Sequence, residues 1–253
     1  MRRGDAEGPR AGRSRGRWAA AAALAPVGYT LLMRIIGLDK AGRGSVLGPL
    51  VVGAFLWDAP PGCDLRDVQA QAALREAGAD DSKALRPLRR EQVLTRLATL
   101  GQGLVHEISA TQIDQGNVNH LEEEAFLQLI RQTRPARLYL DAPVHPRGVP
   151  ALCRRLLQGL AGGDLAPPEL VVEPKADATW PVVGAASIFA KVARDAAMRA
   201  LSAQHGRDLG SGYPSDPLSR RWLAELLAAG APMPACVRQR WGTLDVLRQQ
   251  ALF

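Results

Sequence analysis

Three aspartates stand at or just past the ends of apolar runs. Asp39 closes IIGLD, Asp141 closes LYLD, and Asp177 follows LVVEPKA. One acid ending a buried strand is usually a cap or a turn residue. Three of them, on strands able to lie side by side, point to a shared purpose. Converging carboxylates repel one another and cost stability unless a cation joins them. Hard oxygen ligands at one sheet edge suit Mg2+ or Mn2+, and a pair of such ions is the usual device for in-line attack on a phosphodiester. The residue after Asp39 is out of place in that scheme, because the ammonium of Lys40 cannot coordinate a divalent cation.

A glycine loop follows at once. GRGSVLG, residues 42–48, has the spacing G-x-G-x-x-x-G. That is not the G-x-G-x-x-G of a dinucleotide fold, and no helix start comes after it. Gly42 and Gly44 let the backbone approach a ligand closely, and Arg43 between them suits a phosphate or a ribose. Lys83 lies in the loop DDSKAL, where the ordinary alternative is a solvated lysine. Tyr213 sits in SGYPSDP, where its ring suits stacking on a base or sugar; the ordinary alternative is packing. The four histidines, His106, His120, His145 and His205, show no pairing with a nucleophile, so acyl chemistry is not indicated.

These residues need elements to hold them. The sequence predicts strands over 34–39, 47–57, 103–110, 136–143 and 170–177, the first two joined as a hairpin across the glycine loop. It predicts helices over 86–100, 117–135, 149–160, 182–206, 215–230 and 243–252, several ended by glycine or proline. Residues 58–80 read as a loop with a short helix. Strands first and then alternating helices and strands make an α/β domain with a mixed sheet and a helical C-terminal part.

Bulk properties set limits. The 253 residues carry a formal charge of +7, and +4 of it lies in residues 1–32, which hold six arginines. That segment is expected to be an unstructured basic extension, and Met33 is a natural start for the folded chain. The remaining body is only mildly basic, so a face for a polyanion must come from local clustering. Cys63, Cys153 and Cys236 are far apart and odd in number, without metal spacing or a disulfide framework. No apolar run reaches the roughly 18 residues of a membrane helix. A protein of the reducing cytoplasm, away from membranes, is expected.

Taken together, GLDKAGRGSVLGPLVVGA, DDSKAL, ISATQIDQGNVNHLEEEAF, YLDAP, EPKADATWPVVGAASIFAKVARD, SGYPSDP and VRQRWGT resemble ribonuclease HII, more closely its archaeal form. The order of these motifs, over about residues 34 to 245, carries the resemblance; no single motif would. It implies a ribonuclease H-like mixed sheet flanked by helices over 33–210, with a helical segment at 211–253 that contributes to substrate binding. It implies a monomeric endonuclease that cuts the RNA strand of RNA/DNA hybrids and cuts at ribonucleotides embedded in DNA, using Mg2+ or Mn2+. The family's metal-ligand positions fall on Asp39, Lys40, Asp141 and Asp177. Gly42, Arg43 and Gly44 fall on the turn that senses the ribose 2′-hydroxyl. Tyr213 falls on the reader of the RNA-to-DNA junction, and Lys83 and Ser187 fall near backbone phosphates.

Two departures stand out. The family's D-E-A-G-R-G is D-K-A-G-R-G here, and its R-x-S-W is Arg238-Gln239-Arg240-Trp241. The second change adds a surface charge. The first replaces a carboxylate by an ammonium, a change of two charge units. Each unit pair is worth roughly 4 kcal/mol at about 4 Å and an effective dielectric near 20. Three readings follow: a nuclease with one weakened metal position, a hybrid-binding protein without catalysis, or a one-base change in an otherwise standard enzyme. A mononucleotide-binding α/β protein is the distant alternative.

Overall fold

The computed structural model describes residues 32–59, 65–66, 71–79, 87–162 and 166–250. Residues 1–31 of the basic extension, Lys83 and Cys63 lie outside them. β1 (Met33–Ala41) and β2 (Leu50–Ala59) form an antiparallel hairpin around the glycine loop, with Gly37 opposite Phe55 and Asp39 opposite Gly53. β3 (Gln102–Ile108) pairs antiparallel on the outer side of β2. On the other side of β1, β4 (Arg137–Asp141) runs parallel to it, and β5 (Glu169–Glu173) runs parallel to β4. The order β3-β2-β1-β4-β5 makes the mixed α/β sheet that the sequence predicts.

Helices cover both faces. α1 (Ala72–Ala77), α2 (Pro87–Leu97) and the long α7 (Pro181–Gln204) close one side, where Ile35, Phe55 and Tyr139 pack against Val182, Val183 and Ile188. α4 (Val118–Thr133) and α5 (Val149–Leu160) close the other, with Ile36, Leu38, Leu138 and Leu140 against Phe126, Leu152 and Leu156. The alternation of β1 therefore sends Ile35, Gly37 and Asp39 toward α7 and Ile36 and Leu38 toward α4. α7 lies so close to the sheet that a Cβ at Gly37 would sit 2.1 Å from the Val182 carbonyl oxygen, and one at Gly53 would sit 2.4 Å from that of Ala186.

Beyond α7 the chain forms α8 (Pro217–Ala228) and α9 (Gly242–Gln250). They do not stand apart. Trp222, Leu223, Val237, Leu244 and Leu247 bury themselves on Val46, Leu47 and Met198, so the C-terminal segment packs against the glycine loop and the far end of α7. Asp216 caps α8 by accepting from the amides of Leu218 and Ser219.

Two local expectations change. The fifth strand stops at Glu173 rather than running to Asp177. Pro174 has no amide to donate to the sheet, Lys175 turns the chain at φ 62°, and Asp177 lies in the one-turn helix α6 (Ala176–Thr179). The predicted third strand ends two residues early, because Ser109 and Gln112 form a reciprocal cap that opens α3 (Ala110–Gln115). Among the described residues no helix is long and apolar enough to cross a membrane.

Candidate active site

Parallel pairing sets Leu38 beside Leu140, so the next residues, Asp39 and Asp141, lie on neighbouring strands; Asp141 ends β4, whereas β1 runs two residues past Asp39, further than the sequence predicts. Both alternate onto the face beneath α7, and Asp39 is 5% exposed. Its carboxyl is hydrogen-bonded by Ser187 of α7. Burial pushes the Asp39 carboxyl up to about 6; Lys40 and Ser187 pull it down, and Asp141 pushes it up further. Asp141 spends one oxygen on the first turn of α6, where its Oδ1 accepts from the Ala176 amide at 3.1 Å. Asp177 is the next residue along that turn and is itself buried.

Lys40 fills the remaining space. Its alternation points it away from α7, yet its four-carbon stem brings the ammonium onto Asp141. Nζ lies 2.5 Å from Asp141 Oδ2, 3.1 Å from the Asp141 carbonyl oxygen and 3.8 Å from Asp39 Oδ1. The donor chemistry of the aspartates fits a hard divalent cation. The ammonium does not, because it neutralises the oxygens that such an ion would take. Among the described residues no three histidine, cysteine, aspartate or glutamate side chains are gathered to hold a metal ion.

The glycine loop is tied down from several sides. Gly42 has φ +81° and Gly48 φ +76°, so each needs the left-handed conformation that glycine tolerates. Gly44 faces open space, with nothing within 4 Å of an added Cβ. The Arg43 guanidinium turns toward α4, where it pairs with the fully buried Glu122 and donates to Asn119 Oδ1 at 2.5 Å. Arg43 was expected at phosphate or ribose; as placed, its side chain anchors the loop, of which Gly44 alone is exposed. Arg238 enters from below, wholly buried, and donates to the carbonyls of Gly42, Arg43 and Gly48 at 2.8–3.1 Å. Burial, with Arg194 nearby, lowers Arg238 to about 10.

Tyr213 is 40% exposed and stands over this loop, its ring centroid 5.8 Å from Arg194 Cζ. The Gly212 carbonyl before it accepts from the amides of Val46 and Leu47 at 2.8 and 3.1 Å. Glycine loop and tyrosine turn are thus one surface, next to the two aspartates. Ser187 does not join that surface: it is fully buried, and its bond to Asp39 makes it a support for a carboxylate rather than a contact for phosphate. Arg240 is exposed; its backbone amide donates to the Asp114 carboxylate and its guanidinium donates to the Asp114 backbone carbonyl.

Glu122, Asn119 and Arg194 are absent from the residues singled out in the sequence, and Arg238 is named there only as part of a departing motif, although each lies inside a quoted motif. The signal was available as charge in apolar surroundings, in NHLEEEAF, FAKVARD and VRQRW. One negative expectation also changes, since Cys236 Sγ and His205 Nε2 approach to 3.8 Å. Burial raises the Cys236 thiol above its ordinary value, and the His205 ring packs on Trp222. A thiol held protonated is a poor nucleophile, so the pair adds no acyl chemistry.

A family model described as ribonuclease HII matches residues 36–244. Ribonuclease HII of Pyrococcus furiosus is 37% identical over 223 residues, 86% of this chain and 92% of the relative. That of Archaeoglobus fulgidus is 36% identical over 220 residues, 85% and 97% of the two chains. The crystal structure of ribonuclease H2 from Pyrococcus horikoshii OT3 superposes with a TM-score of 0.72 at 34% identity, covering 87% of this chain and 99% of that one. The structure titled as the PCNA:RNase HII complex from Archaeoglobus fulgidus gives 0.71 at 35% identity, with coverages of 85% and 97%. The Mn2+ complex of Bst-RNase HIII, at 18% identity and a TM-score of 0.68, shares the fold. The matched span runs from the first strand through the glycine loop to the end of the buried Arg238 motif, so that, Lys40 notwithstanding, the chain belongs to the ribonuclease HII family of ribonuclease H enzymes.

Proposed function

We propose that this protein recognises RNA/DNA hybrids and ribonucleotides embedded in DNA, and that its carboxylate site is built to hydrolyse the phosphodiester there with Mg2+ or Mn2+. The observation that carries this reading is the juxtaposition of Asp39 and Asp141 with the glycine loop and Tyr213 on one surface. It is read as a cytoplasmic monomer.

Asp39 and Asp141, with Asp177 drawn in from the next turn, are the residues that would hold the divalent ions once the Lys40 ammonium is displaced. When bound, the ions would polarise the phosphodiester and lower the pKa of the attacking water. Everything else is done by the chain. Ser187 holds the Asp39 carboxyl in one orientation from below. The Ala176 amide does the same for Asp141. The exposed, open backbone at Gly44, held in place by the bonds of Arg238 to Gly42 and Arg43, is where the Gly42–Gly44 turn would meet a ribose 2′-hydroxyl, the group that separates RNA from DNA. The exposed ring of Tyr213 offers a stacking face beside it.

Lys40 favours a second reading, binding with impaired cleavage. Its ammonium already satisfies Asp141 and lies near Asp39, so cation binding must first break that pairing. Cleavage of a duplex with one embedded ribonucleotide is expected to be far slower than in Lys40→Glu. A unit-charge pair worth about 4 kcal/mol is roughly a thousandfold if it falls wholly on the barrier. Equal rates in Mg2+ or Mn2+ would show that Lys40 does no harm. A gel shift beside the cleavage assay separates a binder from an enzyme, and mononucleotide affinity without hybrid affinity would sink both readings.

A further inference from the structure

Arg194 lies in the middle of α7, 4% exposed, with no carboxylate ion pair among the described residues. A buried cation without such a partner is costly, so its surroundings need a reason. One terminal nitrogen donates to two carbonyls: Leu47 in the glycine loop at 3.1 Å and Ser211 in the tyrosine turn at 2.9 Å. The carbon of the same guanidinium lies over the Tyr213 ring, 5.8 Å from its centroid. Its Nε has no hydrogen-bond partner.

The chain has made room for it from both sides. A Cβ at Gly42 would lie 2.5 Å from Arg194 Nε, and one at Gly212 would lie 2.7 Å from Nη2. Both glycines have positive φ, +81° and +77°. Two turns 170 residues apart in sequence are therefore shaped around one side chain, one holding the first glycine of the Gly42–Gly44 turn and the other the glycine just before Tyr213.

We infer that Arg194 is the positioning residue that sets the tyrosine turn against the glycine loop, and so sets the preference for a ribonucleotide over a deoxyribonucleotide. This rests on the proposed function above. The geometry uses the reach and the flat head of the guanidinium, since one terminal nitrogen meets two carbonyls while the carbon behind it lies over an aromatic ring. A lysine keeps the charge, but its ammonium ends one bond short of that nitrogen and it has no flat group to set over the ring.

The test is equilibrium binding of the full chain to two duplexes, one all-DNA and one with a single embedded ribonucleotide, without added divalent metal. Binding without metal keeps the result independent of Lys40. The ratio of the two affinities is the readout. Arg194→Met and Arg194→Lys are each expected to lower that ratio by about tenfold or to unity, whichever comes first, about 1.4 kcal/mol. A guanidinium that only held the fold would reduce the folded fraction, weakening both duplexes alike and leaving the ratio unchanged. Arg194→Lys keeps the measurement available should the methionine variant fail to fold. An unchanged ratio in either folded variant overturns the inference while leaving the proposed function intact. A wild-type ratio of unity overturns both.

Discussion

At the scale of single residues, the site is decided by what stands beside Asp39. Its carboxyl is raised to about 6 chiefly by burial, so its ionised form becomes available only as pH rises through that value. Exchanging Lys40 for a carboxylate removes a pull downward on Asp39 and adds a push upward, so Mn2+ binding, followed by titration calorimetry on Lys40→Glu, is expected to tighten as pH rises from 5 to 8; a flat profile would show that Asp39 takes no part. The stability sign is the opposite. A folded value above the ordinary aspartate value of 3.8 favours folding below that value, and this contribution is lost as pH rises through about 6. Lys40→Glu without metal replaces the 2.5 Å ammonium–carboxylate contact by a further repulsion. It is expected to melt below the wild type in chelator and to recover with Mn2+, whereas the wild type gains little from the ion.

At the scale of elements, the approach of α7 to the hairpin brings Ser187 to Asp39. Gly37→Ala would drive a methyl into the Val182 carbonyl, where backbone has to move. Overpacking of this kind costs typically about 1–3 kcal/mol, and urea unfolding of Gly37→Ala is expected to show at least that, with cleavage or ribonucleotide preference lost together. The cap of α8 gives a milder test. Asp216 is held below its usual range; its backbone and side-chain bonds to Ser211 and its bonds to Ser219 and Leu218 outweigh an opposing effect of burial. Asp216→Ala is expected to cost about 1 kcal/mol at pH 7. Because a depressed carboxylate stabilises only above its unfolded value, that difference should shrink as pH falls below about 4.

Across the whole molecule, the C-terminal segment is structurally part of the glycine loop. Leu47 bridges to Val237, the Arg238 amide donates to Val46, and the Gly48 amide donates to Cys236. Ending the chain after Gly230 would remove Val237, Arg238, Leu244 and Leu247 and uncover Val46 and Leu47. At roughly 1.5–3 kcal/mol for each buried aliphatic side chain, the loss rivals the total stability of about 5–15 kcal/mol of an ordinary domain. The truncated chain is expected to show no cooperative melt by circular dichroism; a native-like melt would mean that the segment is only an appendage.

The strands, the amphipathic helices, the hairpin and the glycine loop were legible in the sequence because each is announced by neighbours along the chain: a period of two or of 3.6, a glycine, a proline, a cap. The acids at strand ends were legible for the same reason, and β1 and β4 do bring Asp39 and Asp141 together. Asp177 was misplaced by a few residues where Pro174 and the left-handed Lys175 end the strand. What no local pattern carries is contact between distant residues. The ammonium of Lys40 reaches Asp141 101 residues away, Ser187 meets Asp39 from another helix, and Arg238 meets Gly42 across 196 residues. The sequence by itself determined which elements form and which letter departs from the carboxylate pattern. Only the tertiary structure decided that this letter lies on the Asp141 carboxylate, and that two buried arginines hold the loop beside it, because burial and partner choice arise only once the layers are packed.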